Sequence, residues 1–215
     1  MGDAAPAGRV RDADRSREAI LDAAEHLFAE GGYDATSLQA IGERAGVSRG
    51  TPGYFFGSKE ALYGAVLERI FAAELAFVAG ASALALTDSE PDGGLERALA
   101  AIIGGYLAFL AARPSFVRLL EREALVGGVA LRATAAHADA VREGLAITTA
   151  LLGSGRNRST DPAAFLLAML SLCWFPFAHA DTFARDLGFD PQSAADRERW
   201  GRHVAALMLR ELQAE

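Results

Sequence analysis

The sequence predicts an all-α protein, with a small three-helix head at the N-terminus and a larger helical body behind it. Three observations carry this. Ala and Leu dominate where β-branched residues would mark strands, apolar residues recur at helical spacing, and short Gly-, Pro- and Ser-bearing breaks cut the chain into helix-sized segments. The 215 residues, 51% hydrophobic and 23% charged, supply enough apolar surface for a core and for one or two domains. The reading divides them into a flexible arm over 1–14, a head over 15–60 and a body over 61–215.

The arm, rich in Ala, Asp, Gly and Arg, lacks periodicity. From Arg15, Ile20, Ala24, Leu27 and Phe28 recur at helical spacing, and Gly31-Gly32 supplies the residue that ends a helix in a left-handed conformation. Thr36-Ser37-Leu38-Gln39 has the form of a capping box opening a second helix, with Leu38, Ile41 and Ala45 turned inward. Gly42 would let another helix approach closely. Gly46 then breaks the helix, and Ser48 is placed as the N-cap of a third. Two short helices joined by a tight Gly turn, over about 37–56, form a helix-turn-helix, the motif that sets its second helix in a DNA major groove.

The third helix contains Gly50, Pro52 and Gly53, all poor helix formers. They give it a low profile from which Arg49, Thr51 and Tyr54 project toward another surface; a closely packed protein neighbour would be served by the same small residues. Phe55 and Phe56 read as core. Ser58 caps a fourth helix carrying Leu62, Val66, Ile70, Ala73 and Phe77 at helical spacing. Lys59, the only lysine among 21 basic residues, falls in its first turn, where a cation opposes the helix dipole at a cost of about 0.3–1 kcal/mol. A phosphate over that helix start would favour it, and a solvated lysine is the plain alternative. Between Arg44 and Lys59 there are three cations, Arg44, Arg49 and Lys59, and no carboxylate.

The run from Ile20-Leu21-Asp22-Ala23-Ala24 through Leu27-Phe28, Gly31-Gly32-Tyr33, Thr36-Ser37, Ile41, Ala45-Gly46-Val47-Ser48 and Gly50-Thr51 to Phe56, Ser58-Lys59-Glu60 and Leu62 resembles the N-terminal domain of the TetR family of transcriptional regulators. The resemblance implies a DNA-binding head on a helical body that dimerises and takes up a small-molecule effector. It places Thr36, Ser37 and Lys59 on phosphates and the helix from Arg49 to Phe55 in the major groove. Family members often carry Leu-Tyr where this chain has Pro52-Gly53; Tyr54, one residue later, is the candidate to stand in for that tyrosine. Thr36, Ser37, Arg44, Ser48, Arg49, Gly50, Thr51, Pro52, Gly53, Tyr54 and Lys59 are therefore the expected DNA-binding residues. Arg49 suits either a bidentate guanine contact or a phosphate, and Arg9 and Arg11 either a minor groove or a solvated arm.

In the body, residues 80–94 read as a loop. Leu95–Ala112 and Phe116–Ala124 read as helices, about 129–152 as one further helix, and 153–161 as a polar connection. Asp161-Pro162 opens a helix in cap-then-proline order, with Phe165, Met169 and Leu172 on one stripe and Pro176 inside it, where a kink is expected. A last helix spans about 193–212, with Val204, Leu207 and Met208 on its apolar face. Arg118, Glu121, Arg122 and Glu123 read as a solvated face with local ion pairs.

The aromatic cluster 173–179 fits three roles: a wall of an effector chamber formed by Phe109, Phe116, Leu120, Met169, Cys173, Trp174 and Phe177, a dimer core, or plain intramolecular core. His137 and His179 read as surface or satisfied core groups. The expected partners are double-stranded operator DNA, a second copy paired through about 162–183 and 193–212, and a small-molecule effector, with no membrane.

The formal charge of −7 argues against a protein that coats nucleic acid, yet leaves a local site open, since distant charge is screened beyond about 8 Å. The lone Cys173 excludes an intramolecular disulfide, and the residues lack a signal-peptide core or an uninterrupted membrane-length apolar run, so a cytoplasmic location is expected. No His-Glu-x-x-His or phosphate-loop motif is present, and the four histidines lack metal-ligand spacing, so no catalytic residue, metal or cofactor is expected. The function implied is ligand-released repression at a palindromic operator. Two alternatives stay open: a DNA-binding dimer without an effector, and a helical carrier of hydrophobic molecules.

Overall fold

Helices account for the architecture of the computed structural model, which describes residues 6–87, 94–154 and 160–213. The order is α1 (Pro6–Gly31), α2 (Leu38–Ala45), α3 (Thr51–Phe56), α4 (Lys59–Thr87), α5 (Gly94–Ala112), α6 (Pro114–Leu125), α7 (Val129–Arg132), α8 (Ala135–Ser154), α9 (Pro162–Ala178) and α10 (Ala194–Gln213). Among the described residues there is no strand. A π-helical turn, Ala180–Ala184, follows α9.

Three element boundaries differ from the sequence reading. Residues 6–14, expected within the arm, are the first turns of α1, and Met1–Ala5 lie outside the described residues. α4 continues to Thr87 across what reads as loop from 80, because Ala and Leu there sustain helix whatever their Gly and Ser neighbours prefer; 88–93 lie outside the described residues. The helix expected over 129–152 is two, since Thr134 turns its hydroxyl onto the Ala130 carbonyl at 2.9 Å and ends α7 before α8 starts. Asp161 caps α9 as expected, its carboxylate accepting from the Ala163 N–H at 3.0 Å with Pro162 in the first turn. Pro176 is buried inside α9, which runs two residues past it. The backbone departs from helix beyond it, at His179 (φ −114°, ψ 30°) and again at Thr182.

The chain falls into two compact units. The first holds the described part of Met1–Ile70 together with Arg118–Thr134; the second holds Phe71–Val117 and the described part of Ala135–Glu215. α4 and α6 contribute residues to both.

In the first unit Ile20, Ala24 and Phe28 of α1, Ile41 of α2 and Leu62 and Val66 of α4 are fully buried. Phe28 meets Tyr63 edge-on at 4.9 Å and Tyr33 at 5.9 Å. Each of the larger apolar side chains contributes about 1.5–3 kcal/mol relative to exposure, so this small core needs all three helices at once.

In the second unit α10 lies along α5, and Gly201 is what lets it: a Cβ there would stand 3.3 Å from Leu107. Trp200 of α10 donates its indole N–H to the Leu172 carbonyl of α9 at 2.9 Å. α5 is long and apolar enough to cross a membrane by length and composition, which amends the expectation that no segment is. Its Leu99, Ile103, Leu107 and Leu110 are nevertheless buried among these helices, as in a core helix.

Candidate nucleic-acid interface

Ser37, with extended backbone, caps α2 by accepting the Ala40 N–H on its hydroxyl at 3.1 Å. The sequence pattern assigns that role to Thr36 with Gln39; the structure instead buries Thr36, whose hydroxyl donates to the Gly32 carbonyl at 2.8 Å, and turns Gln39 to Glu43. The Thr36 side chain thus holds the turn after α1. Ser37 beside it is exposed.

Gly46 ends α2 in the left-handed conformation, φ 70°. Gly42 makes the crossing that follows possible: a Cβ on it would lie 3.1 Å from the Ser48 carbonyl and 3.4 Å from Pro52 Cδ. α3 begins at Thr51, three residues after the expected cap Ser48. Gly50 takes the N-cap position without a side-chain bond, while Ser48 and Thr51 join hydroxyls at 2.7 Å. Pro52 sits in the first turn of α3, where its missing N–H costs nothing, and is buried.

What remains outward is a compact polar surface. Tyr54 is 85% exposed and Ser37, Arg44, Ser48, Arg49 and Gly50 are exposed, with Thr51 and Gly53 half-buried. Phe55 and Phe56 are half-buried, Phe56 under the Arg17 guanidinium at 4.5 Å. Glu43, one residue outside the run of three cations, reaches Arg49 at 3.2 Å. A count from Arg44 onward misses that pairing, because it arises where the turn folds α2 back on the residues before α3.

Ser58 caps α4 through the Ala61 N–H at 3.1 Å, so Lys59 stands at the helix start as the sequence implies. Its ammonium is turned toward the turn after α1, donating to the Tyr33 and Thr36 carbonyls at 2.9 and 3.0 Å and lying 4.2 Å from the centre of the Tyr33 ring. These partners answer the question its position against the helix dipole raises. A third N–H remains on the ammonium. Glu60 beside it is held below the usual carboxylate range by its own backbone N–H first and by the Ser58 hydroxyl next.

The expectation of a solvated face over Arg118–Glu123 is corrected. Arg122 donates through Nε to the Ala29 carbonyl at 2.9 Å and through its terminal nitrogen to the Glu30 carbonyl, at the negative end of α1. Arg118 pairs with Glu30, and Glu123 is 4% exposed and accepts the Tyr63 hydroxyl at 2.7 Å. Burial and that carboxylate push the Tyr63 hydroxyl well above its ordinary pKa. α6 is thereby fastened to both α1 and α4 within the first unit.

Of the residues expected around an effector, the structure joins Phe109 to Phe116 at 5.4 Å and Phe116 to Trp174 at 5.8 Å, in the second unit. Cys173 is fully buried, and burial pushes its thiol up to about 12. Met169 and Phe177 are half-buried on α9, whereas Leu120 belongs to the first unit. Sequence reasoning missed Glu74, which accepts the Tyr106 hydroxyl at 3.0 Å beside Phe77 and Phe109. Its signal was a lone carboxylate in the apolar run Ile70 to Phe77.

The description "Bacterial regulatory proteins, tetR family" matches residues 20–66, and "Tetracyclin repressor-like, C-terminal domain" matches residues 96–208. The HTH-type transcriptional repressor NicS of Pseudomonas putida is 30% identical over 211 residues, which cover 95% of this chain and 96% of NicS. The HTH-type transcriptional regulator RutR of Escherichia coli is 47% identical over 62 residues, 29% of each chain. Among solved structures, the TetR family transcriptional regulator PfmR of Thermus thermophilus is 25% identical with a TM-score of 0.61, covering 91% of this chain and 98% of PfmR. FadR of Bacillus subtilis, solved with stearoyl-CoA, shares the fold at 17% identity, TM-score 0.66, over 90% of this chain and 97% of its own.

Proposed function

Because the chain belongs to the TetR family of transcriptional regulators, whose members bind DNA through a helix-turn-helix, we propose that it is a cytoplasmic homodimeric repressor released from a palindromic operator by a small molecule. The observation that carries the DNA-binding part is the surface at the start of α3: Arg49 before the helix and the 85%-exposed Tyr54 on it stand outward, with Thr51 half-buried between them, on a segment kept low by Gly50, Pro52 and Gly53. Two such heads reach successive major grooves about 34–36 Å apart, one helical turn along one DNA face. Ser37 and Arg44 serve phosphates, and Lys59 offers its third N–H to another while its other two hold the turn carrying Ser37.

Pairing uses the outward face of α9, where Leu167 and Phe175 are large apolar residues in water, with Phe183 and Leu187 beyond it. The apolar face of α10 is spent inside the protomer, on Val204, Ala205 and Met208, so its share in pairing falls to the remaining polar side. Release follows from α6. The helix carries Phe116 in the ring cluster of the second unit and Arg122 and Glu123 in the first, so an effector that favours a displaced α6 draws on α1 through Arg122 and on α4 through Tyr63. NicS, named a repressor, supports the sign of regulation, and FadR, solved with stearoyl-CoA, supports uptake of a ligand by this fold.

The test is selection of duplexes from a randomised pool by the full-length protein. A two-fold symmetric site with half-sites one helical turn apart is the expected product. Absence of any enriched sequence at low salt would reject the reading. Phe175→Glu should convert the dimer to monomer in light scattering and cost operator affinity with it.

A further inference from the structure

The geometry points to an organic cation with a flat apolar body as the effector, its ammonium or amidinium group held by Glu74 and its rings lying among Phe77, Tyr106 and Phe109. The inference rests on the reading of the second unit as an effector-binding body and names the ligand class for it.

Glu74 is the crux. It stands on α4 in an otherwise apolar stretch and is half-buried, one carboxylate oxygen accepting the Tyr106 hydroxyl of α5 at 3.0 Å. The other oxygen has no partner among the described residues. Around the pair, Phe77 lies 5.9 Å from Tyr106 and 5.5 Å from Phe109, and Tyr106 stacks on Phe109 at 6.0 Å with the rings 5° from parallel. The rings continue through Phe116 to Phe71, which packs 4.6 Å from His137; the Nδ1 of His137 is buried without a partner among the described residues. A buried polar atom without a partner is uncommon, so the His137 end of this ring chain has unmet hydrogen-bonding capacity, while at the other end the second Glu74 oxygen is left open to solvent or a ligand.

The ligand's charge follows from elementary electrostatics. An anion would meet a carboxylate, and a neutral apolar molecule would cover the open oxygen while giving it nothing in return. A cation gains an ion pair in a low-dielectric setting and ring faces as well. That these rings attract cations is visible on Phe109, where the Arg113 guanidinium lies 4.5 Å from the centroid. Burial pushes Glu74 up to about 7, against which the Tyr106 hydroxyl works, so near neutral pH a bound cation shifts a partly protonated carboxyl toward the ionised form.

Three matched probes test this on the full-length protein by calorimetry at pH 7: 1-naphthylmethylamine, 1-naphthalenemethanol and 1-naphthoate. The amine should bind at least ten-fold more tightly than the alcohol, with naphthoate weakest. Glu74→Gln should bring amine and alcohol within two-fold of each other, by weakening the amine. Should Glu74→Gln fail to fold, Tyr106→Phe keeps the ring and should shrink the amine's advantage about three-fold. Equal binding of amine and alcohol, tightest binding of naphthoate, an amine preference that survives Glu74→Gln, or no binding of any probe at 1 mM would each overturn the inference. Duplex selection by ligand-free protein is independent of these results: an enriched palindrome without an amine preference removes this inference alone, and no enrichment removes the regulator reading beneath it.

Discussion

Arg122 donates its Nε–H to the main-chain carbonyl of Ala29 at 2.9 Å, and so ties α6 to the last turn of α1. A cation at a helix C-terminus is favourable, and here it also satisfies carbonyls that lack helical partners. Arg122→Leu removes a charged hydrogen-bond donor worth about 1–2 kcal/mol after discounting for its partial exposure. The melting temperature should fall by about 2–8 °C, and amide exchange at Ala29 to Gly31 should quicken. Unchanged exchange there would show that α6 is not what holds this turn.

Lys59 is an interior brace as much as a DNA contact. Its bonds to the Tyr33 and Thr36 carbonyls fix the turn from which Ser37 projects. Lys59→Ala should therefore cost about 1–2 kcal/mol of stability without DNA present. It should also weaken binding to every duplex sequence alike, with the salt slope reduced by roughly one. Thermal melting and salt-titrated anisotropy read the two effects separately. A slope lowered with no loss of stability would mean the bonds to the turn contribute nothing.

Glu43 holds Arg49 at 3.2 Å on the exposed surface of the head. An exposed pair of this kind is weak, about 0–1 kcal/mol, so DNA can compete for the arginine. Glu43→Gln should tighten binding to all duplexes several-fold at low salt and barely at high salt. Arg49→Ala should weaken operator binding, by about 1–3 kcal/mol and with relaxed preference at one base if the guanidinium reads guanine in the groove. Anisotropy against operators varied base by base separates those outcomes. An Arg49→Ala protein with unaltered affinity and preference would take Arg49 out of the interface.

The helix-turn-helix is legible in the sequence because its determinants are local: Gly46 for a left-handed cap, Gly42 for a close approach, Ser58 as an N-cap three residues before the amide it receives. Choices between adjacent candidates are less so. Thr36 and Ser37 are equally good caps by type, and only the buried Gly32 carbonyl, which claims the Thr36 hydroxyl, decides for Ser37. The parts that escaped are the long-range ones. Arg122 reads as a solvated arginine on an amphipathic helix until α1 delivers two carbonyls to it, and Glu123 becomes a core residue only through Tyr63. Periodicity says which face of a helix is apolar and nothing about which distant polar group will meet the rest.

Glu74 gives the pH dependence its sign. Its pKa in the folded protein, about 7, lies above the ordinary 4.5, chiefly because burial disfavours the charged form. The folded state therefore holds the proton more tightly than the unfolded chain. The stability this represents is fully present below about 4.5 and is lost as pH rises through about 7. Glu74→Gln keeps an acceptor for the Tyr106 hydroxyl and cannot ionise. At pH 5 the variant and the parent should melt within a degree or two of each other. By pH 8 the variant should be the more stable, by on the order of 2 kcal/mol, or about 4–8 °C. His137, whose pKa burial lowers, titrates in both proteins and cancels in the difference. Melting curves of the pair across pH 4.5–8.5 measure it directly. A difference that stays flat would mean the Glu74 carboxylate is as well solvated in the folded protein as in the unfolded one, and the aromatic surroundings that make it a cation site would lose their electrostatic force.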